Sequence, residues 1–195
     1  LPVTIDTYGN GMMGEVLREK LYATCVAVCD GETVALMFSL DMKQSTASVI
    51  QKFEKDIEEL RGKLGIGCIS DFEPQPLLMR SRLGTYAICN VGVINNAEDL
   101  INDYLSKGGY FDSMTGGKVN STELVAALIN QKDTFVEGIQ YAQSVIEGTA
   151  NILLLTDEGH LIAARDKLGR IPVQIGKNED GYCASFEEFA FTKLD

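Results

Sequence analysis

Residues 151–191, NILLLTDEGHLIAARDKLGRIPVQIGKNEDGYCASFEEFAF, constrain the fold more than any other part of the chain. Apolar runs at 152–155 and 161–164 are separated by Asp157, Glu158 and Gly159, which signals a β-hairpin. Arg165, Asp166 and Arg170 then surround a Lys167-Leu168-Gly169 turn. Residues 172–175 read as a third strand and residues 181–185 as a fourth. Glu187 and Glu188 follow where a helix would begin and where the helix dipole favours anions. This meander of short strands is the expected scaffold.

The rest of the chain segregates strands from helices. Residues 3–7 can form a short strand, and residues 13–22 carry Val16, Leu17 and Leu21 at helical spacing. The runs 24–28 and 33–38 flank Asp30-Gly31, a strong hairpin signal. The opening YGNGMMG reads as a turn, since no Lys-Ser/Thr follows its glycines as a phosphate loop requires. Residues 45–60 form an amphipathic pattern with Val49, Ile50, Phe53, Ile57 and Leu60 on one face, and Gly62 supplies the stop. Strands follow at 64–69, 77–79 and 85–94, the first two separated by a Pro-rich loop at 71–76. Asn95 or Asn96 can cap the next helix. Residues 107–118 read as a Gly-rich loop without a core face, and Asn120 with Glu123 resembles a capping box for a helix at 123–130. A further helix at 134–146 turns Phe135, Ile139, Ala142, Val145 and Ile146 inward. Such an order predicts an α+β fold, with antiparallel sheets covered by helices, rather than a doubly wound parallel sheet.

At 195 residues, 45% hydrophobic and 23% charged, the chain can bury one sizeable core, and one domain is expected. A net charge of −11 argues against a nucleic-acid partner or an anionic membrane surface, because phosphate binding needs clustered Lys and Arg. The apolar runs are too short to span a bilayer and the start lacks the pattern of a signal peptide, so a cytoplasmic protein is expected. The five cysteines are Cys25, Cys29, Cys68, Cys89 and Cys183, and four of them sit within or beside apolar runs, as buried thiols in a reducing compartment do. Cys25 and Cys29 would lie roughly 13 Å apart on a strand, too far to chelate one ion. His160 is the single histidine, so a His/Cys zinc site lacks its ligands, and neither metal nor cofactor is expected.

The stretches LGIGCISDFEPQP, VGVINNAEDL, NSTELVAALINQKDTFVEGIQYAQSVIEG and, most specifically, IAARDKLGRIPVQIG followed by GYCASFEEFAF give residues 53–191 a family likeness. They resemble the class II glutamine amidotransferase domain of glutamine phosphoribosylpyrophosphate amidotransferases (amidophosphoribosyltransferases), members of the N-terminal-nucleophile hydrolase fold. The resemblance implies a four-layer αββα sandwich of antiparallel sheets. It also implies a mechanism, in which an amino-terminal Cys attacks the glutamine amide with its own α-amino group as base. An Asn side chain and a Gly amide stabilise the oxyanion. The ammonia released goes to phosphoribosyl pyrophosphate in a second, phosphoribosyltransferase domain, which would lie outside this chain, in the service of purine biosynthesis. Oligomerisation is common in the family, which makes a homo-oligomer an expectation.

Carried over by position, the implied site is altered. Residue 1 is Leu, where the nucleophile would stand, and no catalytic residue can be assigned. The family's usual His and its carboxylate-holding Arg fall on Cys68 and Ser70. The Asn-Gly oxyanion pair falls on Val91 and Gly92, with Asn90 one position early and so facing the wrong way. The acid that binds the glutamine α-amino group falls on Ser121. Arg165, Asp166, Gly169 and Pro172 match, and belong to the part of the family pattern that forms the fold. The expectation is a glutaminase-like domain with a degenerate, inactive site. An active enzyme whose Cys lies upstream of Leu1 is the alternative within the family. Outside it stand an acidic binding module using Glu73 and Gln75 of the Pro loop, and a thiol enzyme using Cys25 or Cys89.

Overall fold

The computed structural model describes residues 2–6, 25–29, 34–39, 64–68, 73–177, 181–188 and 191. In chain order the strands are β1 (Pro2–Asp6), β2 (Cys25–Cys29), β3 (Val34–Ser39), β4 (Leu64–Cys68), β5 (Leu77–Ser81), β6 (Gly84–Ile94), β7 (Met114–Thr115), β8 (Lys118–Val119), β9 (Gly148–Thr156), β10 (Leu161–Ala164), β11 (Gln174–Lys177) and β12 (Tyr182–Ser185). The helices are α1 (Ala97–Ser106), α2 (Ser121–Ile129) and α3 (Phe135–Val145).

β6 and β9 set the architecture. Each carries apolar residues on both faces, Tyr86–Cys89 in β6 and Ile152–Leu155 in β9, and a strand apolar on both faces has to be covered on both. They pair antiparallel without a break, from Tyr86 opposite Thr156 to Ile94 opposite Gly148. The pleat then sorts their side chains. Tyr86, Ile88, Ile152 and Leu154 point to one side, where they meet Leu124, Leu128, Ile129, Ile139, Ala142 and Ile146 of the helical layer. Ala87, Cys89, Leu153 and Leu155 point to the other, where they meet Ile66 and Cys68 of β4, Ala184 of β12, and Phe186. The sheet order is β10-β9-β6-β5 in the four-stranded sheet and β11-β12-β1-β4-β2-β3 in the six-stranded one, with every pairing antiparallel. Helices, four-stranded sheet and six-stranded sheet thus stack in that order. The helices expected at 13–22 and 45–60 and the turns at 8–11 and 30–31 lie outside the described residues.

Several expectations are corrected. The closing meander is not one sheet: β9 and β10 belong to the four-stranded sheet, β11 and β12 to the six-stranded one, and residues 165–173 cross between them. The third strand begins at Gln174 instead of Pro172, since Pro172 has no amide hydrogen to give a ladder. The helix start expected at the acidic pair is of the 3₁₀ kind and begins at Glu188, with the Glu187 amide donating to Ser185 Oγ just before it. The Gly-rich segment carries most of the β7–β8 ribbon, turned by Gly116 and Gly117 at φ 58° and 80°, and it does have a core face, because Phe111 packs on the helical core.

The caps also differ in detail. α2 starts two residues earlier than expected, at Ser121, because Asn120 Oδ1 accepts the amides of Thr122 and Glu123. The capping box is not reciprocal: Glu123 instead accepts the amides of Asp112 and Ser113 at 2.8 and 2.7 Å, which pins the preceding loop. Asn96 precedes α1 but makes no side-chain cap; it binds Val145 O and the Glu147 amide and ties α1 to the end of α3. Thr134 caps α3 through the Glu137 amide. Asn120 is wholly buried while Thr134 is exposed. Asn120→Ala should therefore lower the unfolding free energy by about 1–2 kcal/mol and Thr134→Ala by about 1 kcal/mol or less, measured by urea denaturation. Equal losses would contradict this account of the caps.

Candidate functional site

The positions that the sequence singles out fall on three structural features: the end of β4, the far part of β6, and the start of α2. Cys68 closes β4 and is buried between the sheets. Its thiol accepts a hydrogen bond from Cys89, which holds its pKa below the ordinary thiol value, while burial pushes the other way. Ser70 lies outside the described residues, as does Leu1.

On β6 the pleat places Val91 with Cys89 against the inter-sheet core and turns Asn90 to the helical side, as the strand period predicts. Asn90 is buried and its Oδ1 has no hydrogen-bond partner among the described residues. Opposite Val91 stands Asn151, fully buried. Its Nδ2 donates to Val91 O at 3.2 Å and its Oδ1 accepts the Asp166 amide at 3.1 Å. Gly92 is required by packing, since a Cβ there would stand 2.0 Å from Thr149 O.

At α2, Ser121 is held by Glu73. The carboxylate accepts the Ser121 amide at 2.9 and 3.1 Å and the Ser121 hydroxyl at 2.5 Å, where a negative charge also meets the positive end of the helix dipole. Two residues on, Gln75 Oε1 accepts the Asn90 amide at 2.8 Å. Asn120 Nδ2 donates to Pro74 O between them. The Pro loop is therefore a strap from α2 to β6, and Glu73 and Gln75 are buried within it. The two side chains of that loop offered for a ligand, Glu73 and Gln75, are thus both engaged within the fold.

The turn after β10 is organised by Asp166, which is 4% exposed. Its oxygens accept the amides of Leu168 and Arg170, and Gly169 at φ +65° returns its own amide to Asp166 O. Arg165 contributes less than expected. Its side chain lies over Gly169, and its carbonyl accepts from Gln143 of α3. Through Asn151 this turn is joined to Val91, so the fold-forming residues and the altered β6 positions belong to one hydrogen-bond chain. Sequence reasoning missed Asn151, although an Asn opening an otherwise apolar run was a legible signal. The thiol-enzyme reading finds no support at Cys89: that thiol is fully buried, while His160 is exposed beside Glu158, 3.5 Å away.

A cavity of about 430 Å³ opens beside β5, lined by Met79, Arg80, Tyr104, Tyr110, Asp112 and Asn130 among others. None of Cys68, Gly92, Ser121, Arg165, Asp166 and Gly169 lines it. Among the described residues no helix is long and apolar enough to cross a membrane.

Comparison with known proteins adds to this geometry. A family model described as a glutamine amidotransferase domain matches residues 61–191. The chain is similar to the amidophosphoribosyltransferase of Methanocaldococcus jannaschii, 32% identical over 121 residues, covering 62% of this chain and 25% of that protein. It is also similar to the amidophosphoribosyltransferase of Archaeoglobus fulgidus, 28% identical over 149 residues, covering 72% of this chain and 32% of that one. The chain thus spans between a quarter and a third of the length of these curated relatives. Among solved structures, the glutamine phosphoribosylpyrophosphate amidotransferase from B. subtilis complexed with ADP and GMP superposes with a TM-score of 0.78 at 24% identity, covering 99% of this chain and 43% of that one. A second, described as the allosteric regulatory enzyme of purine biosynthesis, gives 0.81 at 23% identity, covering 100% and 43%. At these identities the likeness establishes the fold, an α+β sandwich of antiparallel sheets of the N-terminal-nucleophile hydrolase kind.

Glu73→Ala leaves the Ser121 amide and hydroxyl without their carboxylate at a half-buried helix start. It should lower stability by about 1–3 kcal/mol in chemical denaturation, with Glu73→Gln retaining part of the loss. Unchanged stability in Glu73→Ala would sink the strap assignment.

Proposed function

Because the chain belongs to the glutamine amidotransferase domain family, we propose that it is the glutaminase-like domain of an amidophosphoribosyltransferase-type protein and that its own glutaminase site is degenerate. In this reading the parent protein carries a phosphoribosyltransferase domain, works in the cytoplasm in purine biosynthesis, and takes ammonia from glutamine in its active relatives. The domain itself serves as a structural or regulatory module.

The observation that carries the proposal is at Val91. The family pattern places the side-chain oxyanion donor there, and this chain has an apolar side chain packed into the inter-sheet core. The amide opposite, Asn151, is already engaged by Val91 O and by Asp166. Loss of one such donor typically costs 10²–10³ in rate. A second departure adds to it: the position of the amino-binding acid is Ser121, and the carboxylate that reaches it, Glu73, is buried and bonded to the helix start. Departures at separate parts of one site lower the transition state's support together.

Purified chain incubated with glutamine should release no glutamate above the uncatalysed background, and a thiol-reactive glutamine analogue should leave no adduct in intact-mass measurement. Turnover accompanied by stoichiometric labelling of one cysteine would overturn the degenerate reading while leaving the family assignment in place.

A further inference from the structure

The cavity beside β5 has no part in the roles assigned above. Its volume of about 430 Å³ is within the range of ligand clefts. One wall is the strand itself, for every residue from Leu77 to Arg82 lines it. Successive residues of a strand point to opposite faces, so a cavity that all of them line runs along the strand's edge, where the backbone is.

That edge is the outer one. β5 ends the four-stranded sheet, with β6 as its strand neighbour among the described residues. Opposite Arg80 stands Thr85, whose amide donates to Asp157 Oδ2 and whose carbonyl accepts the Asp157 amide, both on the β9 side. Since Thr85 bonds away from β5, the backbone groups of Arg80 point away from β6, and the ladder repeats this at Leu78, opposite Ala87. Two amides and two carbonyls thus face outward. The facing wall is set in advance. Glu123 accepts the amides of Asp112 and Ser113, the Tyr104 and Phe111 rings lie 5.2 Å apart, and a Cβ on Gly109 would stand 2.3 Å from the Tyr104 ring.

A groove between an edge strand and a helical wall suits an extended peptide that adds a strand by main-chain hydrogen bonds. Its side chains would alternate between the two faces of β5. On one face Leu78 and Arg80 are exposed, and the Arg80 guanidinium donates to Thr85 Oγ1 and makes no ion pair among the described residues. On the other, Tyr104, Tyr110 and Asp112 line the groove. Arg82 is already bound to Asp133, and Glu123 to its two amides. The charges left for a ligand are a cation on one face and an anion beside two phenol rings on the other. The first calls for a carboxylate and the second for an ammonium or guanidinium, which the rings also attract. A second copy of β5 would set arginines against arginines on one short ladder.

We infer that β5 is a docking edge for an extended segment of a partner protein in which acidic and basic side chains alternate. The segment pairs antiparallel, as every strand of this sheet does, and extends the sheet by a fifth strand with its acids toward Arg80. This inference is independent of whether the domain hydrolyses glutamine.

A fluorescently labelled, end-capped peptide of alternating glutamate and lysine, titrated with the full chain and followed by anisotropy, tests it. Binding should saturate and should move the amide resonances of Leu78 and Arg80. Arg80→Glu, at an exposed position, should weaken it about tenfold through the lost pair and the new repulsion. In antiparallel pairing the residue opposite Arg80 shares its face and exchanges main-chain bonds with it. N-methylation of the glutamates should therefore abolish binding, while N-methylation of the lysines should leave it. Absence of saturable binding, undiminished binding by Arg80→Glu, or binding that survives N-methylation of the glutamates overturns the inference. Self-association of the chain through this edge in place of peptide binding overturns it as well.

Discussion

The antiparallel pairing of β6 with β9 is the contact on which the rest of the structure depends. Its register from Tyr86–Thr156 to Ile94–Gly148 places four wholly buried residues of β9, Ile152 to Leu155, alternately on two faces. Each such side chain gains roughly 1.5–3 kcal/mol by leaving water, so neither face can stay bare. One face calls for helices and receives α2, whose residues from Thr122 to Ile129 are all buried. The other calls for a second sheet and receives β4 and β12. A one-residue slip in this register would exchange the two faces and place Asn90 and Asn151 on the wrong sides of the sheet.

Much of this was legible. The alternation between apolar runs and short Asp- or Gly-containing turns marked the strands, and the segregation of strands from helices marked the class. What periodicity could not supply was which strands share a sheet. β10 and β11 are separated by a short connection and look like neighbours in a meander, yet Asp166 turns the chain by binding its own following amides and sends it into the other sheet. The destination of side chains was equally hidden. Glu123 has the spacing of a capping box, but its carboxylate takes the amides of Asp112 and Ser113, and the Asn120 amide that a capping box would give it donates to Ser113 O at 2.9 Å instead. Asn96 is diverted in the same way to residues 145 and 147, which only the fold brings near.

The candidate site follows the same pattern. Family likeness placed Gly92, Ser121 and Cys68, and the structure shows each within the architecture: Gly92 where two backbones meet, Ser121 under Glu73, Cys68 against Cys89. Glu73 and Gln75 were legible as polar residues in a rigid loop. Nothing local indicated that both would turn inward, since their partners, Ser121 and Asn90, are 48 and 15 residues away. Glu73, Gln75 and Asn151 are bound to backbone amides and carbonyls of the fold. A hydrogen bond between buried groups is costly to break, so a ligand would have to displace these contacts before making its own.

The most direct measurement of that account is a glutamine titration of isotope-labelled chain followed by backbone amide resonances. Engagement of Ser121 by Glu73 and of Val91 by Asn151 predicts that the Ser121 and Gly92 amides keep their positions up to millimolar glutamine. Saturable shifts at these two amides would show that the site still receives the amino acid, and would contradict it.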